Sequence, residues 1–257
     1  MLAIERQRAI LEKLQEDGAV RVVDLSKLFQ VTEETVRRDL DKLEKKRLLQ
    51  KTYGGAVALV EEDQEGEEYS FDDRVKQNLD GKAKIGKAIA AMIQAREILM
   101  VDSSTTCLEV LKYIEEDKKL TVITNGLGTM MQASKMSHIN LIGTGGTYRE
   151  KSISFVGPTA KNNILSYYAD KAILSCKGIS KERGVMESSE FEAEIKQGFI
   201  ECAKEVVLAV DHQKVDKSSI HRLVGWENIN YIVTDKALDE EWLVLCKQYD
   251  IKLIVAE

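Results

Sequence analysis

Two adjacent arginines, Arg37 and Arg38, open a basic run in the segment TVRRDLDKLEKKRLLQK, residues 35–51. From Arg37 to Lys51 this segment holds seven cations and three acids. Guanidinium groups bond both phosphate oxygens and the edges of guanine bases, and a helix of this length fits the major groove of DNA. The run therefore predicts contact with nucleic acid, although a solvated helix face is the alternative interpretation.

A second set of residues combines hydroxyls, glycines and lysines in five short stretches: DSSTT (102–106), TNG (124–126), GTGG (143–146), CKG (176–178) and DHQK (211–214). Hydroxyls and exposed backbone N–H groups hold an anionic phosphate, and Lys214 would add positive charge. Each stretch alone is also an ordinary turn. Together they predict a ligand site formed by Asp102, Ser103, Ser104, Thr105, Thr106, Asn125, Gly145, Gly146, Lys177 and Lys214.

Each of these stretches follows a short apolar run of the kind that forms a buried strand. Such runs occur at EILMVD, LTVIT, INLIG, KAILS, EVVLAVD, NYIVTD and KLIVAE, and helical stretches such as GKAKIGKAIAAMI separate most of them. This alternation predicts an α/β domain with a largely parallel sheet covered on both faces. Ligands of such sheets bind beyond the carboxyl ends of the strands, where the five stretches lie. Ser189 and Glu192 predict a capping box at the start of a later helix.

The basic run belongs to a segment with three predicted helices and a hairpin. Thr32 is a plausible N-cap for the third helix, and RLLQKTYGGAVAL turns at Gly54-Gly55, which predicts a wing that brings Lys51 and Tyr53 near a DNA backbone. The order favours a winged helix-turn-helix over the alternative, a small helical bundle with a charged face. The apolar positions of the helices are Ile4, Ile10, Leu11 and Leu14, then Val23, Leu25 and Leu28, then Val36, Leu40 and Leu43.

Charge divides the chain in two. The formal net charge is −6, yet the first 60 residues hold 12 Lys and Arg against 10 Asp and Glu, so the positive charge is local. EEDQEGEE (61–68) then has the composition of a solvated linker. We therefore expect a DNA-binding domain at 1–58, an acidic linker at 59–70 and an α/β domain at 71–257.

The remaining composition excludes several classes of protein. Four cysteines lie far apart with no C-x-x-C spacing, and the three histidines do not cluster near them, which argues for reduced thiols and against a zinc site. No apolar run is long enough to span a bilayer, and the N-terminus lacks the apolar core of a signal peptide. We expect a cytoplasmic protein with no metal, no cofactor and no membrane partner.

The segment from Ile4 to Val57 closely resembles the DNA-binding segment of the DeoR family of bacterial transcriptional regulators. The residues that carry the resemblance are Arg6, Phe29, Val31, TVRRDL (35–40), Leu43 and Tyr53-Gly54-Gly55. The resemblance implies a recognition helix that carries Thr35, Arg37, Arg38 and Lys42. It also implies that Asp39 orients an arginine rather than meeting DNA.

The rest of the chain resembles the sensor domain of the same family, on Phe71, Arg74, Lys82, Ile85, Ala88, the D-S-x-T-T stretch, Thr124-Asn125, Gly145-Gly146, Asp170-Lys171-Ala172, Gly178-Ile179, Asp211 and Lys214. That domain is similar in fold to ribose-5-phosphate isomerase and the CoA transferases, and in the family it binds phosphorylated sugars. Two departures are Ser104, where the family has glycine, and Cys176-Lys177, where small residues are usual.

The resemblance implies a sequence-specific regulator, usually a repressor, that controls a sugar or sugar-acid catabolic operon. Its partners would be double-stranded operator DNA, a phosphorylated sugar effector and further copies of the chain in a dimer or tetramer. The alternative is a sugar-phosphate isomerase-like enzyme in which Asp102, Asp211 and Lys214 move protons. We expect no enzyme, because catalysis would leave the DNA-binding domain unexplained. A nonspecific architectural protein is disfavoured by the acidic second part.

Overall fold

A computed structural model describes residues 3–17, 19–45, 48–52, 54–57 and 69–257. The chain divides into two compact units, Met1–Gln64 and Glu65–Glu257. Most of the expected linker, residues 59–68, lies outside the described ranges, so the expected domain bounds stay a prediction. Each unit is described by itself.

The first unit contains helices that pack around an apolar centre and a small antiparallel sheet in the strand order β1-β3-β2. The hairpin β2–β3 turns at Gly54, and β1 adds a third strand that the sequence did not predict. This is the expected winged helix-turn-helix. Its elements are α1 (Ala3–Asp17), β1 (Ala19–Arg21), α2 (Val22–Phe29), α3 (Glu33–Lys45), β2 (Gln50–Thr52) and β3 (Gly55–Val57).

The core of the first unit follows the helical spacing of the apolar residues. Ile10, Leu25, Val36 and Leu40 are at most 1% exposed, because residues three or four apart share one face of a helix. Thr32 starts α3 as expected, since its Oγ1 accepts the Thr35 N–H at 3.3 Å. Val23 and Leu28 belong to α2, but the core does not bury them: they are 45% and 58% exposed.

A buried ion pair joins α1 to α3 in this core. Arg6 Nε lies 2.5 Å from Asp39 Oδ2, and Gln7 Nε2 donates to the other carboxylate oxygen at 3.1 Å. Asp39 is only 2% exposed. It therefore orients an arginine inside the unit, as the resemblance implied.

The second unit alternates strands and helices. Its helices are α4 (Phe71–Lys76), α5 (Leu79–Met92), α6 (Thr105–Leu111), α7 (Leu127–Ala133), α8 (Pro158–Ile164), α9 (Glu190–Glu201) and α10 (Glu240–Gln248). Its strands are β4 (Ile98–Val101), β5 (Leu120–Thr124), β6 (Ile139–Gly143), β7 (Thr147–Arg149), β8 (Ser154–Val156), β9 (Ala169–Leu174), β10 (Gly178–Ser180), β11 (Gly184–Glu187), β12 (Ala203–Ala209), β13 (His221–Val224), β14 (Tyr231–Thr234) and β15 (Lys252–Val255).

Seven of these strands form one parallel sheet in the order β15-β14-β12-β9-β4-β5-β6. Each of the seven apolar runs identified in the sequence forms one of its strands. In β4, Leu99 and Val101 join the core on one face while Met100 joins the core on the other, because successive side chains of a strand point to opposite faces. The expected doubly covered α/β sheet is therefore confirmed.

Two smaller sheets were not predicted. β7 pairs with β8, and β10 pairs with β11, which pairs with β13, all antiparallel. β7–β8 follows β6 along the chain and β10–β11 follows β9, so both extend from the carboxyl ends of sheet strands. Within the described ranges, no helix is long and apolar enough to cross a bilayer.

The two tryptophans pack against each other in the larger core of the second unit. Their rings meet edge to face with centroids 5.3 Å apart, and Trp226 and Trp242 are 3% and 0% exposed. Each indole N–H has an acceptor: Trp226 Nε1 donates to the Lys181 carbonyl at 3.2 Å and Trp242 Nε1 to Asp216 Oδ1 at 3.1 Å.

The capping box predicted at Ser189 and Glu192 is wrong. Ser189 is the N-cap residue of α9, but its side chain accepts no hydrogen bond from the helix. The Glu192 carboxylate instead accepts hydrogen bonds from Ser103 Oγ at 3.1 Å and from Ser154 Oγ at 2.5 Å. The Glu192 side chain is therefore bonded by two buried serines outside the helix and does not turn back to the Ser189 N–H, as a capping box requires.

We expect Gly55→Ala to destabilise the first unit by about 1 to 3 kcal/mol, the usual cost of overpacking. A Cβ on Gly55 would lie 1.9 Å from the Val20 carbonyl oxygen, so β1 and β3 would have to separate. Gly54→Ala is the matched control, since its Cβ would meet nothing within 4 Å. Thermal unfolding followed by circular dichroism measures both, and equal effects of the two substitutions would contradict the expectation.

Candidate functional site

The surface of α3 exposes the cations that the sequence singled out. Arg37, Arg38 and Lys42 are exposed and Thr35 is half-buried. Arg37 Nη2 lies 3.1 Å from Glu33 Oε2, and Arg38 Nε lies 3.2 Å from Glu34 Oε1. Exposed pairs of this spacing stabilise a helix by only about 0.3 to 0.5 kcal/mol. The guanidinium groups are therefore easily transferred from the glutamates to a stronger acceptor such as phosphate.

The wing residue Lys51 is attached to the same helix. Its Nζ forms an ion pair with Asp41 of α3, and its backbone N–H donates to Glu44 Oε1 at 2.9 Å. The hydrogen bond with Asp41 raises the pKa of Lys51. Strand β2 is thus held against the second half of α3, while Tyr53, the other predicted wing residue, lies outside the described residues.

In the second unit, the parallel sheet brings most of the predicted ligand residues to one edge. Strands β12, β9, β4 and β5 are neighbours in the sheet, so the loops that follow them are adjacent. These loops carry Lys214, Lys177, residues 102–106 and Asn125, respectively. Gly145 and Gly146 follow β6, the next strand.

Asp102 is fully buried and uses both of its carboxylate oxygens inside the protein. Oδ1 accepts the Ser104 N–H at 2.9 Å, and Oδ2 accepts the Ser175 N–H at 3.0 Å and lies 3.3 Å from Lys196 Nζ. Burial alone would raise the pKa of Asp102, but the Lys196 charge and these hydrogen bonds outweigh burial and lower it. Asp102 is therefore a fixed anion that joins the loops after β4 and β9.

The hydroxyl groups of the four residues after Asp102 differ in their hydrogen-bond partners. Ser104 has φ −73° and its Oγ accepts the Cys107 N–H at 3.2 Å, so it is the N-cap of α6. The serine that stands where the family has glycine therefore needs no left-handed backbone. Ser103 donates to Glu192. Thr105 Oγ1 donates weakly to the Arg74 carbonyl at 3.5 Å, and Thr106 Oγ1 is buried with no hydrogen-bond partner in the part of the chain that the structure describes.

Asn125 presents an unused acceptor at the end of β5. Its Nδ2 donates to the Phe155 carbonyl at 3.2 Å, and its backbone carbonyl accepts the Phe155 N–H at 2.8 Å. Its Oδ1 is buried and has no partner among the described residues. A buried polar atom without a partner costs about 1 to 3 kcal/mol. Asn125 Oδ1 is therefore suited to accept a hydrogen bond from a ligand hydroxyl.

The glycines after β6 have a structural requirement of their own. Gly145 and Gly146 have φ +61° and +115°, values that side-chain-bearing residues rarely adopt. A Cβ on Gly146 would lie 2.7 Å from the Val156 carbonyl oxygen, whereas one on Gly145 would meet nothing within 4 Å. Gly146 is thus needed for packing against β8, and Gly145 leaves exposed backbone at this edge.

The two predicted lysines differ in their surroundings. Lys177 Nζ lies 5.0 Å from the centre of the Tyr69 ring, a cation–π contact. Lys214 Nζ donates to Ser175 Oγ at 3.0 Å and lies 3.5 Å from Asp211 Oδ2. Lys214 is therefore held at the carboxyl end of β9 as well as that of β12.

Two cations beside Lys214 were noted in the sequence only as residues of the resemblance. Lys82 of α5 is 4% exposed and its Nζ donates to the Arg74 carbonyl. Burial, followed by the charge of Lys214, lowers the pKa of Lys82 to about 8. Both residues precede β4. A search limited to the residues that follow strands therefore does not identify them as ligand candidates. Arg74 lies in α4 and Lys82 in α5, and their spacing in the sequence offers no separate signal.

The carboxyl ends of the sheet strands therefore carry a group of cations on one side and, on the other, the Asn125 Oδ1 atom, which has no hydrogen-bond partner among the described residues. Arg74, Lys82 and Lys214 lie around the ends of β4, β9 and β12, while Asn125 lies at the end of β5. Such a site suits an anion attached to a polyol. Asp102 is a poor proton acceptor, because its pKa is lowered and both of its oxygens are bonded.

Comparison with known families agrees with this division of the chain. Residues 6–62 match the family described as DeoR-like helix-turn-helix domain. Residues 77–236 match the family described as DeoR C terminal sensor domain. The two matches fall on the unit that contains α3 and on the unit that contains the parallel sheet.

Relatives match almost over their whole length. An HTH-type transcriptional regulator of Bacillus subtilis, YulB, is 36% identical over 93% of this chain and 91% of its own. The transcriptional repressor AccR of Agrobacterium fabrum is 33% identical over 90% of this chain and 89% of its own. The L-fucose operon activator of Haemophilus influenzae is 29% identical over 97% and 99%. Among solved structures, ribose 5-phosphate isomerase A of Methanocaldococcus jannaschii covers 54% of this chain and 55% of its own at 15% identity, with a TM-score of 0.41.

We expect anion binding at this edge to weaken about tenfold between pH 7 and 9, because Lys82, with a pKa of about 8, loses its proton in this window. Charged groups that face Lys82 are Lys214, Asp211, Arg74 and Glu109. Sulfate is a suitable probe, since its charge is constant over this range. Its affinity for the full chain is measured by calorimetry. Lys82→Met should remove the pH dependence, and a variant that kept it would contradict the expectation.

Proposed function

Because this chain belongs to the DeoR family of transcriptional regulators, we propose that it represses a sugar or sugar-acid catabolic operon and that a phosphorylated sugar intermediate releases it from DNA. The observation that carries the proposal is the pairing, in one chain, of exposed arginines on α3 with a strand-end site that holds three cations. The first feature serves DNA binding and the second serves control by an anionic metabolite.

In the proposed complex with DNA, α3 enters the major groove. Arg37 and Arg38 leave their glutamate partners for phosphate oxygens or guanine edges, and Thr35 and Lys42 add donors on the same helix. Lys51 and Tyr53 of the wing contact the adjacent backbone. A dimer or tetramer presents two or more such helices to repeated half-sites, which gives specificity beyond that of a single helix.

In the proposed effector complex, the phosphate lies among Thr105, Lys82 and Lys214, and Asn125 Oδ1 accepts a sugar hydroxyl. Asp102 and Gly146 hold the loops in place. Residues Ser103, Ser104, Thr106, Gly145 and Lys177 complete the predicted set around the ligand. The excess of cations at one end supports a phosphorylated rather than a neutral sugar.

A relative named for an L-fucose operon supports control of sugar genes, but the relatives differ in whether they repress or activate. One is a repressor and another is the activator of an L-fucose operon. Repression is proposed here because it is the usual mode of the family. Release from DNA then requires that the effector favour the arrangement that does not bind the operator. An enzyme of the isomerase type is the weaker candidate, since Asp102 is locked in an ion pair.

Arg37→Ala and Arg38→Ala should each weaken operator binding by about 1 to 3 kcal/mol while leaving thermal stability nearly unchanged, because both side chains are exposed donors. Gel-shift titrations at two salt concentrations measure the loss and separate base contacts from phosphate contacts. Glu33→Ala and Glu34→Ala are matched controls that remove the intrahelical partners and keep the guanidinium groups. Wild-type affinity in both arginine variants would mean that α3 does not read DNA.

Lys214→Ala and Thr105→Ala should bind operator normally without effector and should no longer respond to it. A coupling of about 1 to 3 kcal/mol corresponds to a roughly 5- to 150-fold effect of the effector on operator affinity in the wild type. The measurement is operator release by a panel of sugar phosphates and their unphosphorylated parents. Lys87→Ala, which removes an exposed lysine of α5, is the control. Equal release from wild type and both variants would place the effector elsewhere.

A further inference from the structure

Residues 69–76, which we call the strap, contact the segments that follow three neighbouring strands, β9, β4 and β5. Tyr69 packs on Lys177 after β9, and the Arg74 carbonyl accepts Thr105 Oγ1 after β4. The Phe71 ring rests on α7, since a Cβ on Gly128 would lie 3.1 Å from Phe71 Cζ. In the sequence the strap directly follows the acidic stretch 61–68 that leads from the DNA-binding unit. It is thus the first part of the second unit that the structure describes.

The strap contains a guanidinium group with unused donors. Arg74 Nε and Nη2 are buried, and neither has a hydrogen-bond partner in the described part of the chain. The group lies 5.8 Å from the centre of the Phe71 ring, a contact that does not use the N–H donors. An arginine does not lose its proton in a protein. Its buried donors are therefore satisfied only when an acceptor enters.

The nearby carboxylates do not supply that acceptor. Asp211 lies 3.5 Å from Lys214 Nζ, and Glu109 bonds Lys112 Nζ at 2.6 Å. Lys82 adds a further cation, whose Nζ donates to the Arg74 carbonyl. Positive charge is thus in excess where the donors of Arg74 are unused. Such an excess suits a doubly charged anion with oxygens placed for a guanidinium fork, which is the geometry of a phosphate group.

We infer that Arg74 is a ligand-binding residue of the effector site, whose Nε and Nη2 donate to the phosphate of the ligand and so attach the strap to it. This inference rests on the proposed function, because it assigns the anionic end of the same ligand. The lysines attract the phosphate by charge, whereas the planar fork of Arg74 fixes its orientation.

The consequence is a direct contact between the ligand and the strap, which follows the acidic stretch in the sequence. α4 has only six residues, and its Arg74 carbonyl accepts hydrogen bonds from Lys82 of α5 and Thr105 of α6. A ligand that bonds Arg74 adds a contact that exists only in the occupied state. The ligand therefore binds more tightly to the arrangement of the strap in which Arg74 reaches it. A change in DNA affinity requires such a preference for one arrangement.

The test uses the full chain with inorganic phosphate as probe and potassium chloride at equal ionic strength as reference. Phosphate should raise the melting temperature of the wild type and slow amide hydrogen exchange in residues 70–78. Arg74→Gln removes the charge at similar length, and Arg74→Lys keeps the charge without the fork. Lys76→Ala is the matched control, because Lys76 is an exposed cation of the same helix.

We expect Arg74→Gln to bind phosphate at least tenfold more weakly, Arg74→Lys to show an intermediate loss, and Lys76→Ala to match the wild type. Wild-type phosphate affinity in Arg74→Gln overturns the inference, as does phosphate binding that leaves exchange in residues 70–78 unchanged or no response of the wild type to phosphate. Operator release by sugar phosphates is measured separately. If it fails in a wild type that still binds phosphate through Arg74, the proposed function is wrong and the role of Arg74 stands.

Discussion

The buried ion pair between Asp102 and Lys196 is the interaction on which the strand-end site depends. Lys196 of α9 donates to the Ser175 carbonyl at 2.9 Å and pairs with both Asp102 and Glu187. The neighbouring carboxylates outweigh burial and raise the pKa of Lys196, while Lys196 lowers that of Asp102. Both charges therefore persist in the interior, and each holds the other in place. The loops after β4 and β9, which carry Thr105 and Ser175, take their positions from this pair.

The charged side chains fall into two groups by burial. Buried ion pairs stabilise the fold, whereas exposed cations are available to bind a partner. Removing one partner of a buried pair costs about 3 to 5 kcal/mol, whereas exposed pairs contribute little. Arg6 with Asp39 and Lys196 with Asp102 belong to the first kind. Arg37 and Arg38 belong to the second, since their glutamate partners are exposed and lie on the same helix. Arg74 belongs to neither group, because its Nε and Nη2 are buried without a partner among the described residues.

The main sheet could be predicted from the sequence because parallel strands are buried on both faces and appear as continuous apolar runs. Strands such as β1 and β7 have only three residues and include exposed positions, so their pattern is too short to distinguish from a loop. The candidate ligand residues after the strands could be grouped from the sequence because the topology of a parallel sheet places them at one edge. The partners of Asp102 could not, since Lys196 and Ser175 reach it only through the tertiary fold. Residue type suggested that Asp102 reads a ligand, whereas the structure shows that its oxygens bond the protein.

The positions of Trp226 and Trp242 confine the tryptophan fluorescence of the protein to the second unit. The chain contains two tryptophans, and both lie in the core of the second unit. Intrinsic tryptophan emission therefore reports the packing of the sheet domain and is silent about α3 and the wing. Far-ultraviolet dichroism, in contrast, sums the helices of both units. A difference between the two signals during denaturation would reveal, in the unlabelled protein, whether the helix-turn-helix unit melts before the unit that contains the parallel sheet.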